Sequence, residues 1–384
     1  MDRLITYRNF SISLITSLFL VIAISCVEPY QMLVKSNESF LVIDGKIDDT
    51  DSEKYISIKK TDPGITRAIE FIPVDSATVY IVENGETNIN AHYSGYGIYT
   101  FPIWFKTKIN NQYQLKVNLK NGKKYESSIE TMRETPDILG HTVKFDPEAI
   151  KKGENTSPGH FIYIDLKDNP EKGDFYMWNY RIFERQPICI SCYEGIYLAY
   201  PQPYDKCESS PGLERSMVTY DYSCLGDCWE IIHSEELNIM SDLYSNNLEI
   251  KNRLIAKVPY YSNSGFLIEI SQQNINAEAF RYLKIIIEQN QTNGTLADSP
   301  PAPLVGNVKN IDNKSEIVGG YFMVAKTIKK SFWINRSYDD NAYPIGLLGG
   351  RAINYEPLTP SRPPSAPCIK SRTRTPLAPE GWPI

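Results

Sequence analysis

Apolar and polar residues alternate along much of the chain from Phe40 onward. Residues 40–47 (Phe-Leu-Val-Ile-Asp-Gly-Lys-Ile) begin a strand pattern, and residues 54–60 (Lys-Tyr-Ile-Ser-Ile-Lys-Lys) follow it, with apolar and polar positions alternating in the period-two signature of a half-buried strand. Residues 77–82, 98–101, 113–119 and 125–129 carry similar patterns, with turn sequences at Glu83-Asn84-Gly85-Glu86 and Lys120-Asn121-Gly122-Lys123. Asn-Gly between two such runs is a hairpin signal, because both residues tolerate the positive φ of a tight two-residue turn. Several short strands separated by turns predict an immunoglobulin-like or transthyretin-like β-sandwich over residues 39–136, closed by Pro136.

Residues 137–354 predict a larger β-rich domain, with strand patterns at 142–145, 161–166, 175–183, 253–258, 265–270, 319–325 and 330–334. The 175–183 run has an aromatic or aliphatic side chain at almost every position, as a strand buried on both faces requires. One amphipathic helix is expected over 276–291: Asn276 can cap it, and Phe280, Leu283, Ile286 and Ile287 form one apolar stripe to bury against a sheet. Between them lies an insertion, residues 187–228, rich in Cys, Tyr and Pro. A loop of that length without its own core is expected to be functional or stapled. From residue 355 to 384 proline dominates, and this tail is expected to run in irregular or polyproline-like form over the surface.

The start of the chain has a different pattern. Arg3 and Arg8 precede an uncharged run, residues 12–24, that ends at Ala23-Ile24-Ser25-Cys26. A basic start, an apolar run and a small-residue cut site make residues 1–25 a secretory signal. With Cys26 as first mature residue the site resembles a bacterial lipobox, with Ala23 where Leu is usual. Acylation of Cys26 would anchor the body to a membrane through lipid, with residues 26–38 as tether. The alternative is an ordinary secretory peptide with a chance cysteine. No second apolar run long enough to cross a bilayer follows Cys26.

Composition sharpens this picture in two respects. The net charge of −6 over 384 residues leaves no basic footprint for nucleic acid. With Cys26 given to lipid, Cys189, Cys192, Cys207, Cys224, Cys228 and Cys368 remain, an even set that reads as disulfides in an exported chain. Five of them lie between Ile188 and Trp229, so full pairing requires Cys368 to reach back to the insertion. Zinc is the alternative, since Cys189-x-x-Cys192 and Cys224-x-x-x-Cys228 have spacings that a thiolate site could use.

Other candidate chemistry is thin. His92, His141, His160 and His233 show no metal-ligand spacing, and neither a nucleophile elbow nor a phosphate-binding glycine loop is present. Asp339-Asp340-Asn341 reads as a solvated turn, because three adjacent residues do not supply the ligands that calcium wants. No metal, no cofactor and no catalytic residue is expected. Tyr193, Tyr197, Tyr200, Tyr204 and Trp229 are the candidate binding surface, since Tyr and Trp offer large contact area with a polar tip. The competing expectation is a local mini-core around the disulfides.

Two blocks carry a family resemblance: Cys224-Leu225-Gly226-Asp227-Cys228-Trp229-Glu230-Ile231 with Leu237-Asn238-Ile239 and Ser241-Asp242, and Thr292-Asn293-Gly294-Thr295-Leu296 with residues 300–311 and Gly319-Gly320-Tyr321-Phe322. With Leu41-Val42-Ile43-Asp44-Gly45 and the tail residues Cys368, Arg372, Pro379 and Trp382, the chain resembles Bacteroidota outer-membrane lipoproteins of a domain-of-unknown-function family, often encoded beside TonB-dependent receptors. Members usually carry several tail cysteines before an arginine, where this chain has only Cys368. The resemblance implies a non-catalytic accessory or interaction protein, lipid-anchored in the outer membrane on an undecided face, partnering a TonB-dependent transporter. A surface lipoprotein that binds a glycan or peptide nutrient is the alternative, and an exported hydrolase the third.

Overall fold

The computed structural model describes residues 39–62, 71–198, 206–209, 217–291, 304–336, 342–357 and 365–383. Residues 1–38, and Cys26 with them, lie outside the described residues. The protein is mostly β, with several sheets and, among the described residues, a single helix.

Strands Leu41–Asp48 and Tyr55–Thr61 pair antiparallel, with Ile43 opposite Ile58 and Gly45 opposite Ile56. Their alternation turns Ile43, Ile47, Ile56 and Ile58 into one core. A second sheet runs in the order Val308–Asn310, Lys124–Ser127, Gln112–Leu119, Ala77–Glu83, Thr87–Asn90 and contributes Val79, Ile81, Leu115 and Val117 to the same core. The arrangement is sandwich-like. Both expected turns form: Glu86 N donates to Glu83 O at 3.1 Å and Gly122 N to Leu119 O at 3.0 Å, with Asn84, Gly85 and Gly122 at positive φ.

Residues 39–136 do not complete this sandwich by themselves. Val318–Gly319 and Phe322–Ala325 pair parallel with Leu41–Asp48, and Val308–Asn310 pairs antiparallel with Lys124–Ser127. Val308, Val318, Phe322 and Val324 fill out its core. A parallel neighbour cannot be reached by a tight turn and needs a crossover; here the crossover is most of the second half of the fold. At the return, Gly320 has φ +84°, and a Cβ there would lie 2.3 Å from the carbonyl oxygen of Ile43. Only glycine allows that approach.

The second unit has a three-stranded sheet, Ile138–Lys152, Asn155–Lys167 and Glu249–Pro259, and a six-stranded one in the order Thr327–Ile334, Phe266–Ile275, Phe175–Arg185, Trp229–His233, Arg374–Thr375, with Asn238–Ser241 also on Phe175–Arg185. Phe175–Arg185 is central. Tyr176, Trp178 and Ile182 face the core shared with Ile162, Ile164 and Ile268, while Met177 faces the helix and Phe183 faces Trp229. The tail is not irregular throughout. Ser365–Pro367 pairs parallel with Thr219–Leu225, Arg374–Thr375 extends the six-stranded sheet, and Trp382 packs edge-on against Trp229 and Trp333 at 5.7 and 4.8 Å. Pro367 closes the first of these strands and Pro376 follows the second; aromatic burial and a disulfide hold the tail in place.

Candidate functional site

The insertion folds as a small unit of its own. Ile188–Tyr193, Thr219–Leu225 and Ser365–Pro367 form one sheet, and Gly195–Leu198 pairs with Lys206–Ser209. Its five cysteines and Cys368 of the tail form Cys189–Cys224, Cys192–Cys207 and Cys228–Cys368. Among the described residues, the group of three potential ligands close enough to share an ion is Cys189, Cys228 and Cys368. All three sulfurs are oxidised into disulfides, and a disulfide offers zinc no thiolate.

Burial divides the candidate aromatic surface. Tyr193 is 62% exposed, but Tyr197 is fully buried and meets Tyr222 at 5.3 Å among Cys189, Cys192 and Cys228. Trp229 is also buried, against Phe183, Leu267, Trp333 and Trp382. Tyr197 therefore belongs to a core of sulfur and aromatic rings, the apolar interior of a loop too short to build another, and Trp229 to a core of the second unit; burial removes both from the candidate surface. Tyr200 and Tyr204 lie outside the described residues. Asp221 ties the insertion to the tail: Arg351 grips it with two 2.7 Å contacts, and Asn354 N and Ser191 Oγ donate to it at 2.8 and 2.7 Å. Burial alone would raise this carboxyl; the Arg351 guanidinium and the other donors outweigh it and hold it at about 2.

Two concave surfaces flank the helix, Ala277–Gln291. Asn276 caps it, its Oδ1 accepting from Ala279 N at 2.7 Å, and its Nδ2 donates to the buried Glu130 of the sandwich. Glu130 also accepts from Ser128 Oγ at 2.6 Å and Asn307 Nδ2 at 2.9 Å, while Asn307 Oδ1 accepts from Phe322 N at 2.8 Å. Burial pushes Glu130 up, against the pull of these donors. Ala279 and Leu283, with Phe280, Tyr282 and Ile286, pack on Met177, Ile275, Tyr321, Met323 and Ala325. The helix thus bridges the sandwich and the second unit.

On one side lies a groove of about 460 Å³ with two unlike walls. Period-two geometry turns Asp44, Lys46 and Asp48 out of the sandwich on one face of Leu41–Asp48, and Met177, Leu237, Leu283 and Ile286 face them. Asp44 is reached by solvent yet walled in by protein; burial raises its carboxyl, opposed by the Tyr321 N–H at 3.2 Å and by Lys59. Burial lowers the Lys46 ammonium, opposed by Asp48 at 3.8 Å. Lys54 is committed to structure, donating to Thr50 O at 2.6 Å and Ser52 O at 3.1 Å. Such a groove can hold an apolar group against Leu283 and Ile286 while Asp44 or Lys46 meets a charge. A second groove, about 730 Å³, lies between the helix and Val308–Asn310, with Arg281, Lys309, Lys314, Glu126 and Glu278 on its rim. Tyr282 and Tyr321, whose rings meet at 5.2 Å, line both. Sequence reasoning missed these grooves. The alternation in Leu41–Asp48 was the available signal, since it puts Asp44 and Lys46 on one outward face.

The histidines do not converge. His92 lies on an exposed strand, His141 stacks on Phe332 at 4.2 Å, His233 Nε2 sits 3.2 Å from Arg372 O, and His160 is buried among Phe145, Tyr260 and Phe266. Asp339-Asp340-Asn341 lies outside the described residues.

Comparison with curated proteins finds no match, and comparison with solved structures finds none either. A family profile matches residues 27–331, which takes in the sandwich, the second unit as far as Thr327–Ile334, and the whole insertion, residues 187–228. The chain belongs to the family described as Domain of unknown function (DUF4249).

Proposed function

We propose that the protein is a non-catalytic accessory subunit, lipid-anchored in the outer membrane of a member of the Bacteroidota, that works with a TonB-dependent transporter. The observation that carries this reading is the run from Met1 to Cys26: a basic start, an uncharged apolar stretch and Ala-Ile-Ser before a cysteine. Acylation of Cys26 supplies the anchor, and more than one chain makes attachment stable. Three disulfides suit a body that works in an oxidising compartment. The transporter enters through the gene neighbourhood of the lipoproteins that the chain resembles, an associational warrant.

A second reading, capture of a glycan or peptide by the protein itself, is favoured by the groove between Asp44, Lys46 and the apolar helix face. Affinity purification from detergent-solubilised outer membrane separates the two. A stoichiometric β-barrel partner is expected; its absence, together with direct ligand binding, supports capture. Cys26→Ser is expected to abolish fractionation with membranes, and a variant that is processed and fractionates as the parent does refutes the anchor.

A further inference from the structure

We infer that the end of the sandwich at which the chain enters rests on the lipid bilayer, with Phe71, Ile72 and Tyr96 in the membrane interface. This rests on the lipid anchor proposed above. The chain enters at Ser39 and Phe40, which are fastened to Thr61: Ser39 Oγ donates to Thr61 O at 2.6 Å, Phe40 N to Thr61 Oγ1 at 2.9 Å, and Thr61 N to Phe40 O at 2.9 Å. On its other side Thr61 pairs with Phe71, and Lys60 pairs with Ile72. Neighbouring strands lie about 4.8 Å apart, so Phe71 is roughly 10 Å from the point of entrance.

Every residue of Phe71–Pro73 is exposed, Phe71 at 52%. A strand in a sandwich ordinarily hides one face, and this one hides neither. Tyr96 joins it, 87% exposed at the tip between His92–Gly95 and Ile98–Thr100. Gly97 sets that contact. It has φ +74°, its carbonyl accepts from Ile58 N at 2.8 Å, and a Cβ there would lie 2.4 Å from Ile58 O and 3.2 Å from Pro73. The tip is therefore pressed against the Phe71–Pro73 strand. Tyr93 OH donates to Asp75 at 2.6 Å and fastens the hairpin to the residues just after that strand.

Lys59 and Lys60, in register with Pro73 and Ile72, stand half-buried beside these side chains. Aromatic and aliphatic groups with lysines behind them match a bilayer interface, where rings sit at headgroup level and ammonium groups meet phosphates. The tether spans at most about 45 Å when fully extended. It holds this end of the sandwich near the bilayer at high effective concentration. Ile103 and Trp104, the latter 70% exposed, lie at the opposite end, past Thr100 where it pairs with Tyr55. They serve as an internal control.

The test uses the full acylated chain in vesicles of phosphatidylethanolamine and phosphatidylglycerol carrying nitroxide-labelled lipid. A fluorophore is placed at Tyr96→Cys in one sample and at Trp104→Cys in another, and attachment is read separately by flotation. Quenching at position 96 is expected to exceed that at 104 by about threefold or more. Adding Phe71→Ser and Ile72→Ser should erase the difference while flotation is retained. Equal quenching at both positions in floating vesicles overturns the contact and leaves the anchor standing. Protection of position 96 that arises only when a β-barrel is reconstituted with the protein overturns it in favour of a protein partner. Failure to float overturns the anchor, and this inference with it.

Discussion

The sandwich and the stapled insertion reach a fixed structure by opposite routes. The sandwich buries Ile43, Ile56, Ile81, Leu115 and Val117 between two sheets, with tyrosine hydroxyls at its margin bonded to Val74 O, Glu83 and Glu316. Its strands come from two distant stretches of chain. The insertion has five buried core side chains, three of them cysteines, and draws a sixth, Ala366, with its third strand from the tail. Apolar area stabilises the first in proportion to what is removed from water; cross-links act on the second largely by restricting its unfolded state. A short segment that cannot bury enough area becomes ordered only when its alternatives are removed.

The comparison breaks most sharply at Cys228–Cys368, which joins residues 140 apart in sequence. In the chain-entropy account a closed loop of that length contributes about 5 kcal/mol. Replacing both cysteines by alanine should free the tail, so that amides in Ser365–Pro367 and in its partner Thr219–Leu225 exchange faster while Leu115 and Val117 stay protected. Loss of protection in the sandwich in step with the insertion would show that the two are one cooperative unit.

The reverse experiment is Phe322→Ala. Phe322 follows most of the second unit in sequence but is fully buried in the sandwich, beside Gly45 in the parallel ladder. Truncating a buried Phe costs about 3 to 5 kcal/mol. The loss should appear as faster amide exchange in Leu41–Asp48, with the insertion's disulfide-bounded strands unaffected. A fragment ending at Pro136 should likewise fail to fold as a sandwich.

Phe322 also shows where legibility stops. Strand by strand the chain reads well, because alternation and Asn-Gly turns are local: Leu41–Asp48, Tyr55–Thr61, Gln112–Leu119 and the Asn276 cap follow from neighbours in sequence. Pairing partners do not follow. Residues 319–325 show a strand pattern, yet nothing local says that this strand returns to Leu41–Asp48, since a parallel neighbour leaves no turn signal. Burial within the insertion is equally hidden. Tyr193 and Tyr197 look alike in sequence, and only the fold puts one in water and the other beside Tyr222. The grooves by the helix arise where three distant segments meet, a juxtaposition that periodicity does not carry.

The smallest expected effect concerns the second unit, whose interior contains an ion pair with both side chains withdrawn from solvent. Arg336 and Glu184 are fully buried and joined through two contacts, one of 3.0 Å, and Arg336 also donates to Ser262 O and Ser264 O at 3.0 and 3.1 Å. Burial pushes Glu184 up to about 7 against the pull of Arg336. His160 packs beside them against Tyr260 and Phe266, and neither of its ring nitrogens has a hydrogen-bond partner among the described residues. Burial, with Arg336 adding to it, lowers His160 to about 4 from an ordinary 6.5. Between those values the unfolded chain takes up a proton that the folded imidazole refuses, so the histidine's contribution is complete above about 6.5 and is lost as pH falls toward 4. Glu184 acts in the opposite sense: the folded carboxyl holds a proton that the unfolded chain has released, so its contribution fades as pH rises from about 4.5 through 7. The two slopes oppose each other in the parent. His160→Phe keeps the ring contacts and removes one slope, so the stability of the variant relative to the parent should be constant above pH 6.5 and grow by about 1 kcal/mol on going to pH 5, after allowance for solvent screening. Urea unfolding of both chains across that range measures the difference, and parallel profiles would show that His160 takes up its proton as readily in the fold as outside it.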